Sequence, residues 1–263
     1  MPARLWLVLV PLAALALGAP TAGATPASRQ AKPTKVVRAD GQIRPSVRRF
    51  KSLLGPDRGG VPRHFRSGRR ELVWDVVPDE FAAPHALPGD FFNGRSAPRA
   101  RGAVLATPGD HVAVSADADN PDGAPVRFGD VNPAYVDQFQ TFSPERLFSP
   151  IGSNLVNLTF RVPGTARHAG VRGFGAVYTD VDRRENTAFE YFDRRGRSLG
   201  KFAVPPAPQG LSFLGVVFDK PIVARVKIEY GSGPLGPVDD GDYDAAVMDD
   251  FVYGEPQALP RRR

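Results

Sequence analysis

The chain has 263 residues, no cysteine and a formal net charge of +6. With no cysteine, thiol catalysis, zinc–thiolate sites and iron–sulfur clusters are excluded. The charge averages two opposite segments: residues 25–70 carry thirteen Lys and Arg against two acids, Asp40 and Asp57, whereas residues 71–263 carry twenty against twenty-six, an acidic balance that argues against a nucleic-acid partner.

Residues 1–24 read as a secretory signal. Arg4 gives the charged start, Leu5 to Ala19 an apolar stretch broken by Pro11, and Ala22-Gly23-Ala24 a small-residue cleavage site. The run is short for a membrane anchor and contains proline, and no second spanning run follows, so the expected location is extracellular or the cell envelope. Residues 25–70, rich in Pro, Gly and Arg, are predicted to be largely disordered. One stretch differs: IRPSVRRFKSLL spaces Ile43, Val47, Phe50, Leu53 and Leu54 as one helical face, with Ser46 as the expected N-cap. Either this basic amphipathic helix touches anionic cell-wall polymer or membrane surface, or the segment is a linker or folds back on the acidic core.

From Glu71 onward the pattern is β. ELVWDVV, GAVLAT and HVAVSA supply the first strands. DADNPDG (117–123) approaches a calcium-loop spacing, but Asp122 falls one residue late, and a polar turn is predicted. SPERLF suits one helical turn beginning at Ser143 and Pro144. NLVNLTFRVP and VRGFGAVYTDVD follow as strands, then TAFEYFDRRGRSLGKFAVP as a hairpin turning at Gly196, then LSFLGVVF. IVARVKIEY alternates Ala224, Val226, Ile228 and Tyr230 against Arg225, Lys227 and Glu229, which marks a half-buried antiparallel strand. VMDDFVYGEP closes the series. Nine or ten short strands predict an all-β, antiparallel sandwich of jelly-roll type over residues 71–257, followed by a basic tail at 258–263.

FQTFSPERLFSPIGSN, GFGAVYTDVD, EYFDRRGRSLGKFAVP, LSFLGVVF and VMDDFVYGEP resemble a family of uncharacterised secreted bacterial proteins that often carry PEP-CTERM sorting tails. This chain departs from that pattern after Pro256, where only QALPRRR follows. The last strand also resembles the closing strand of calcium-stabilised jelly-roll carbohydrate-binding modules, which implies that an aspartate within it helps hold a structural calcium.

Asp249 and Asp250 are adjacent in that apolar strand. Alternation sends one of them into a buried face, where an uncompensated carboxylate costs several kcal/mol. Calcium, an arginine or a set of backbone N–H groups would offset this. Calcium draws oxygen ligands from separate segments, and first and last strands often neighbour each other, so Asp75 is the expected partner of Asp249 or Asp250. Asp79, Asp180, Asp182, Asp239, Asp240, Asp242 and Asp244 are further candidates. Catalytic signals are thin: His64, His85, His111 and His168 are scattered, and no serine-hydrolase, zinc-protease or phosphate-loop motif is present. Among the aromatics, Tyr135 and Tyr243 lie in Pro- or Asp-rich loops and are the expected exposed sugar-contacting residues. The sequence therefore suggests a secreted, non-catalytic sandwich that binds carbohydrate or an anionic cell-surface polymer and is stabilised by calcium. A structural or adhesive envelope protein without a small-ligand site is the alternative, and a polysaccharide-active enzyme is third.

Overall fold

A computed structural model describes residues 31–236 and 242–260; the signal-like residues 1–24, Asp239, Asp240 and the terminal arginines Arg261–Arg263 lie outside them. The elements in chain order are β1 (Lys35–Asp40), α1 (Arg44–Leu54), β2 (Arg69–Leu72), β3 (Ala103–Ala106), β4 (His111–Val114), α2 (Tyr135–Gln138), β5 (Phe148–Ile151) and β6 (Leu155–Arg161). They continue with β7 (His168–Gly170), β8 (Gly173–Val181), β9 (Ala188–Phe192), β10 (Ser198–Ala203), β11 (Ala207–Val217), β12 (Arg225–Glu229), β13 (Val247–Gly254) and β14 (Gln257–Ala258).

The expected sandwich is present, as two antiparallel sheets. The first runs β1-β11-β8-β13-β5-β4, with β2 also on β13; the second runs β10-β9-β12-β6-β7-β14, with β3 also on β6. Seven strands in each sheet exceed the eight in total of a simple jelly roll. Alternation explains the second sheet. On β6, Val156, Leu158 and Phe160 point inward, and on β12, Val226 and Ile228 do the same. They meet Phe174, Tyr178 and Phe251 of the first sheet in one core. Trp74 plugs that core, stacked 4.3 Å from Phe148 and edge-on to Phe251.

The described part of the basic leader, residues 31–70, is packed on the sandwich. Residues 35–40 form β1 on the edge of β11, in register from Lys35↔Val217 to Asp40↔Ser212. The expected helix forms as α1, but it folds back on the first sheet: Ile43, Val47, Phe50 and Leu54 are buried against Val177, Phe213, Val217 and Val252. The helix starts earlier than the Ser46 cap would place it, because Pro45 is well suited to a first helical turn. The domain therefore reaches back across the residue-71 boundary into the leader. At the other end it includes Gln257 and Ala258, which pair with β7. Since α1 spends its apolar stripe on the core, it has none to insert into a membrane. No described helix is long and apolar enough to cross one.

Phe50 needs a floor without side chains. A Cβ on Gly215 would sit 2.5 Å from its ring, and one on Gly175 would sit 2.9 Å away. The ring also packs edge-on to Phe213 at 5.4 Å. Phe50→Ala is expected to cost about 3–5 kcal/mol, read from the urea midpoint, because a cavity would open over two glycines that cannot fill it. An unchanged midpoint would mean that α1 is not an integral part of the fold.

Candidate functional site

The two adjacent aspartates are both buried, contrary to the expectation that one would face water. Asp249 is 0% exposed and Asp250 4%. Two features account for this. The first sheet is covered on both faces, by the second sheet on one side and by α1 on the other. In addition, β13 carries an extra residue: Met248 pairs with Tyr178 and Phe251 with Ala176, so Asp249 and Asp250 share the place opposite Val177. Such a bulge breaks the two-residue alternation. Met248 and Phe251 both reach the core, and the two aspartates are left together beside Ser143.

The seat of Asp249 is made of donors. Its carboxylate accepts the backbone N–H of Phe142 at 2.7 Å, of Ser143 at 3.3 Å and of Asp250 at 2.7 Å. The Ser143 hydroxyl lies 2.9 Å from Asp249 and 3.1 Å from Asp250, and can donate to one at a time. Three converging N–H groups favour an anion and oppose a cation, so this pair does not fit calcium. Burial raises both carboxyls above the usual range, and the Asp249 charge helps push Asp250 up to about 8. SPERLF forms no helical turn because Glu145 takes a left-handed backbone conformation, with φ of 77°, and the Arg146 N–H turns back to the Pro144 carbonyl and to Asp75.

Asp75 does not join them. The Trp74 indole reaches the Asp249 carbonyl at 2.8 Å, but the Asp75 carboxylate turns to Arg146 and accepts its N–H at 3.0 Å. The Arg146 guanidinium in turn pairs with Asp79 and Asp117. Among the described residues, the acids close enough to share an ion are Asp117, Asp119 and Glu145, not Asp75, Asp249 and Asp250. Within DADNPDG, the Asn120 side chain closes a polar turn on the backbone of Asp117 and Ala124. Asp244 accepts the N–H groups of Asp182 and Arg183, and Asp180 that of Gln209.

Neither tyrosine forms a sugar platform. Tyr135 is fully buried: its short helix α2 turns it against Phe139, at 4.7 Å, and towards Phe128 and Leu147. Tyr243 packs partly buried on the same cluster, with its hydroxyl on the Pro234 carbonyl. Proline-rich loops here fold inward over an apolar cluster instead of projecting.

A different place offers a cavity. At one end of the outer face of the second sheet lies an open groove of about 720 Å³. Its floor follows from register: Thr159 of β6 pairs with Arg225 of β12, and Arg225 pairs on its other side with Phe192 of β9, whose ring supports it from outside the groove. The Arg225 guanidinium carbon sits over the Phe192 ring, 3.7 Å from its centre, and Nη1 donates to the Asn157 side chain at 2.7 Å. The walls are Arg167 and His168 at the start of β7, Asp193 and Arg194 in the β9–β10 turn, and Leu259 after β14. Asp193, the one carboxylate among the described lining residues, is held by Arg197. Burial pushes its carboxyl up, but hydrogen bonds from Arg197 and Arg195 outweigh this and leave it below its ordinary value.

Sequence reading placed Arg225 on an outward strand face and found the turn at Gly196. It did not bring Arg167, Arg194 and Phe192 to them, because that depends on which strands are neighbours. No protein-family model matches the chain, and neither a curated protein nor a solved structure matches it significantly.

Proposed function

We propose that this protein is a non-catalytic binding module that acts outside the cell, and that the groove over Thr159 and Arg225 takes a carbohydrate or cell-surface polymer. The carrying observation is an open groove whose floor is an arginine already fixed in place, by the Phe192 ring and by Asn157, at the rim of a polar sheet face. Fixing the side chain beforehand reduces the entropy lost on binding. Binding without hydrolysis fits Asp193: a carboxyl kept ionised by Arg197 is a poor general acid, and no second carboxylate lines the described groove to act with it. Export through residues 1–24 is part of the same reading. Calcium at Asp75, Asp249 and Asp250 is not, for the reasons of geometry given above.

The test is a binding screen of the whole protein on soluble and insoluble polysaccharides, with Thr159→Trp filling the groove floor. Retention that the tryptophan variant loses supports the reading. Failure to bind any of them would favour a structural envelope protein without a ligand site.

A further inference from the structure

We infer that the groove selects an anionic glycan, one whose residues carry a carboxylate or sulfate, and that Arg225 is the side chain that reads this group; the inference rests on the binding role proposed above. Charge is unevenly distributed over one sheet face. Further along the outer face of the second sheet, Lys201 and Lys227 both pair with Glu229. At the hairpin turn, Arg197 pairs with Asp193. Around the groove the pattern changes. Arg167, Arg194 and Arg225 converge on it, and none has a carboxylate partner among the described residues. The single carboxylate there is already taken by Arg197. The lining is therefore net positive, with His168 beside it.

Arg225 is the most specific of the three cations. Its Nη1 is committed to Asn157 and its guanidinium carbon sits over the Phe192 ring. The Nε–Nη2 edge has no acceptor among the described residues. That edge presents two parallel N–H groups, the geometry that suits a carboxylate or sulfate with two oxygens in one plane. Arg167 and Arg194 are exposed side chains on two separate turns and can follow charges further along a chain. Thr159 stands beside the fork; its hydroxyl reaches the Val104 carbonyl at 3.5 Å and keeps its oxygen as an acceptor for a sugar hydroxyl. A neutral polymer would leave three converging cations without anions.

The experiment measures the affinity of the whole protein for matched polymers at about 0.1 M salt, where charges more than about 10 Å apart are largely screened. The carboxylate arm is polygalacturonate against its methyl ester, and the sulfate arm is dextran sulfate against dextran. Binding to one or both charged members, at least about tenfold above the neutral partner, is expected. Arg225→Ala should lose at least about tenfold of that affinity, and Arg225→Lys, which keeps the charge but not the fork, should recover only part of it. Arg48→Gln combined with Arg49→Gln, on the exposed face of α1, should leave it within about twofold. Unfolding midpoints of all variants check that the fold is kept. Equal affinity for charged and neutral members would overturn the anionic selectivity and leave the binding role standing. Equal losses in the α1 double variant and in Arg225→Ala would reduce the effect to overall charge and overturn the inference. Failure to bind any polymer would overturn both.

Discussion

Arg70→Met is expected to destabilise the protein by about 3–5 kcal/mol, the usual result of removing one partner from a buried ion pair. Arg70 is wholly buried. Its Nε and Nη2 grip the two oxygens of Glu255 at 2.6 and 3.0 Å. Nη1 donates to the carbonyls of Gly59, Val61 and Ala100, each at 2.9 Å, and Nη2 to that of Arg63 at 2.7 Å. One guanidinium thus satisfies four backbone carbonyls and a carboxylate, and fastens the irregular segment 59–65 to the end of β13. Methionine fills similar volume but leaves Glu255 charged and those carbonyls without donors. Adding Glu255→Leu should restore part of the loss, since no buried charge then remains. Denaturant midpoints give the magnitude, and limited proteolysis should show new cleavage between residues 59 and 65. A change below about 1 kcal/mol would show that water takes over the role of Arg70.

Stability should fall as pH rises from about 4 to about 8, and Asp250→Asn should remove most of that slope. Burial is the main cause that lifts the Asp250 carboxyl, followed by the charge of Asp249; the hydrogen bond between the two side chains adds to it, while the Ser143 hydroxyl and Lys51 oppose it. In the unfolded chain an aspartate titrates near 3.9. Between that value and about 8 the folded protein holds a proton that the unfolded chain has released, so raising the pH favours unfolding. The loss is at most about 1.4 kcal/mol per pH unit and ends above the folded value. An asparagine amide keeps a donor directed at Asp249 and carries no charge. The variant should therefore match the wild type near pH 4 and exceed it near pH 8 in melting temperature. Parallel curves for the two proteins would show that the pair does not share a proton.

The sandwich could be read from the sequence because its signal is local. Val226 and Ile228 against Arg225 and Lys227, or a turn at Gly196 between two alternating runs, need no knowledge of neighbouring strands. The same rule misled at Asp249 and Asp250. A period of two was applied through a bulge, and a bulge is set by the partner strand's register, which no single segment encodes. Tyr135 shows a second limit, since loop composition marked it as exposed while a short helix turned it into a cluster with Phe128 and Phe139. The leader shows a third. The apolar face of α1 was visible at its 3.6-residue spacing, but its target is formed by β8, β11 and β13, up to about 200 residues away along the chain. The groove failed for the same reason: Thr159, Arg225 and the supporting Phe192 meet only after β6, β12 and β9 have paired.

β13 is the last long strand of the chain, yet it lies inside the first sheet, with β8 on one side and β2 and β5 on the other. Near the opposite end, β1 pairs with β11, matching Lys35 with Val217. A chain emerging from the ribosome therefore cannot close this sheet until residues 247–254 have been made. Loop closures of this length slow folding towards the millisecond-to-second range seen for β-sandwiches. Shortening the protein from its C-terminal side would leave β8 and β2 without the strand that joins them, and an incomplete chain would stay open. A polypeptide that delays folding in this way keeps strand edges unpaired for longer, and unpaired edges are where chains join one another.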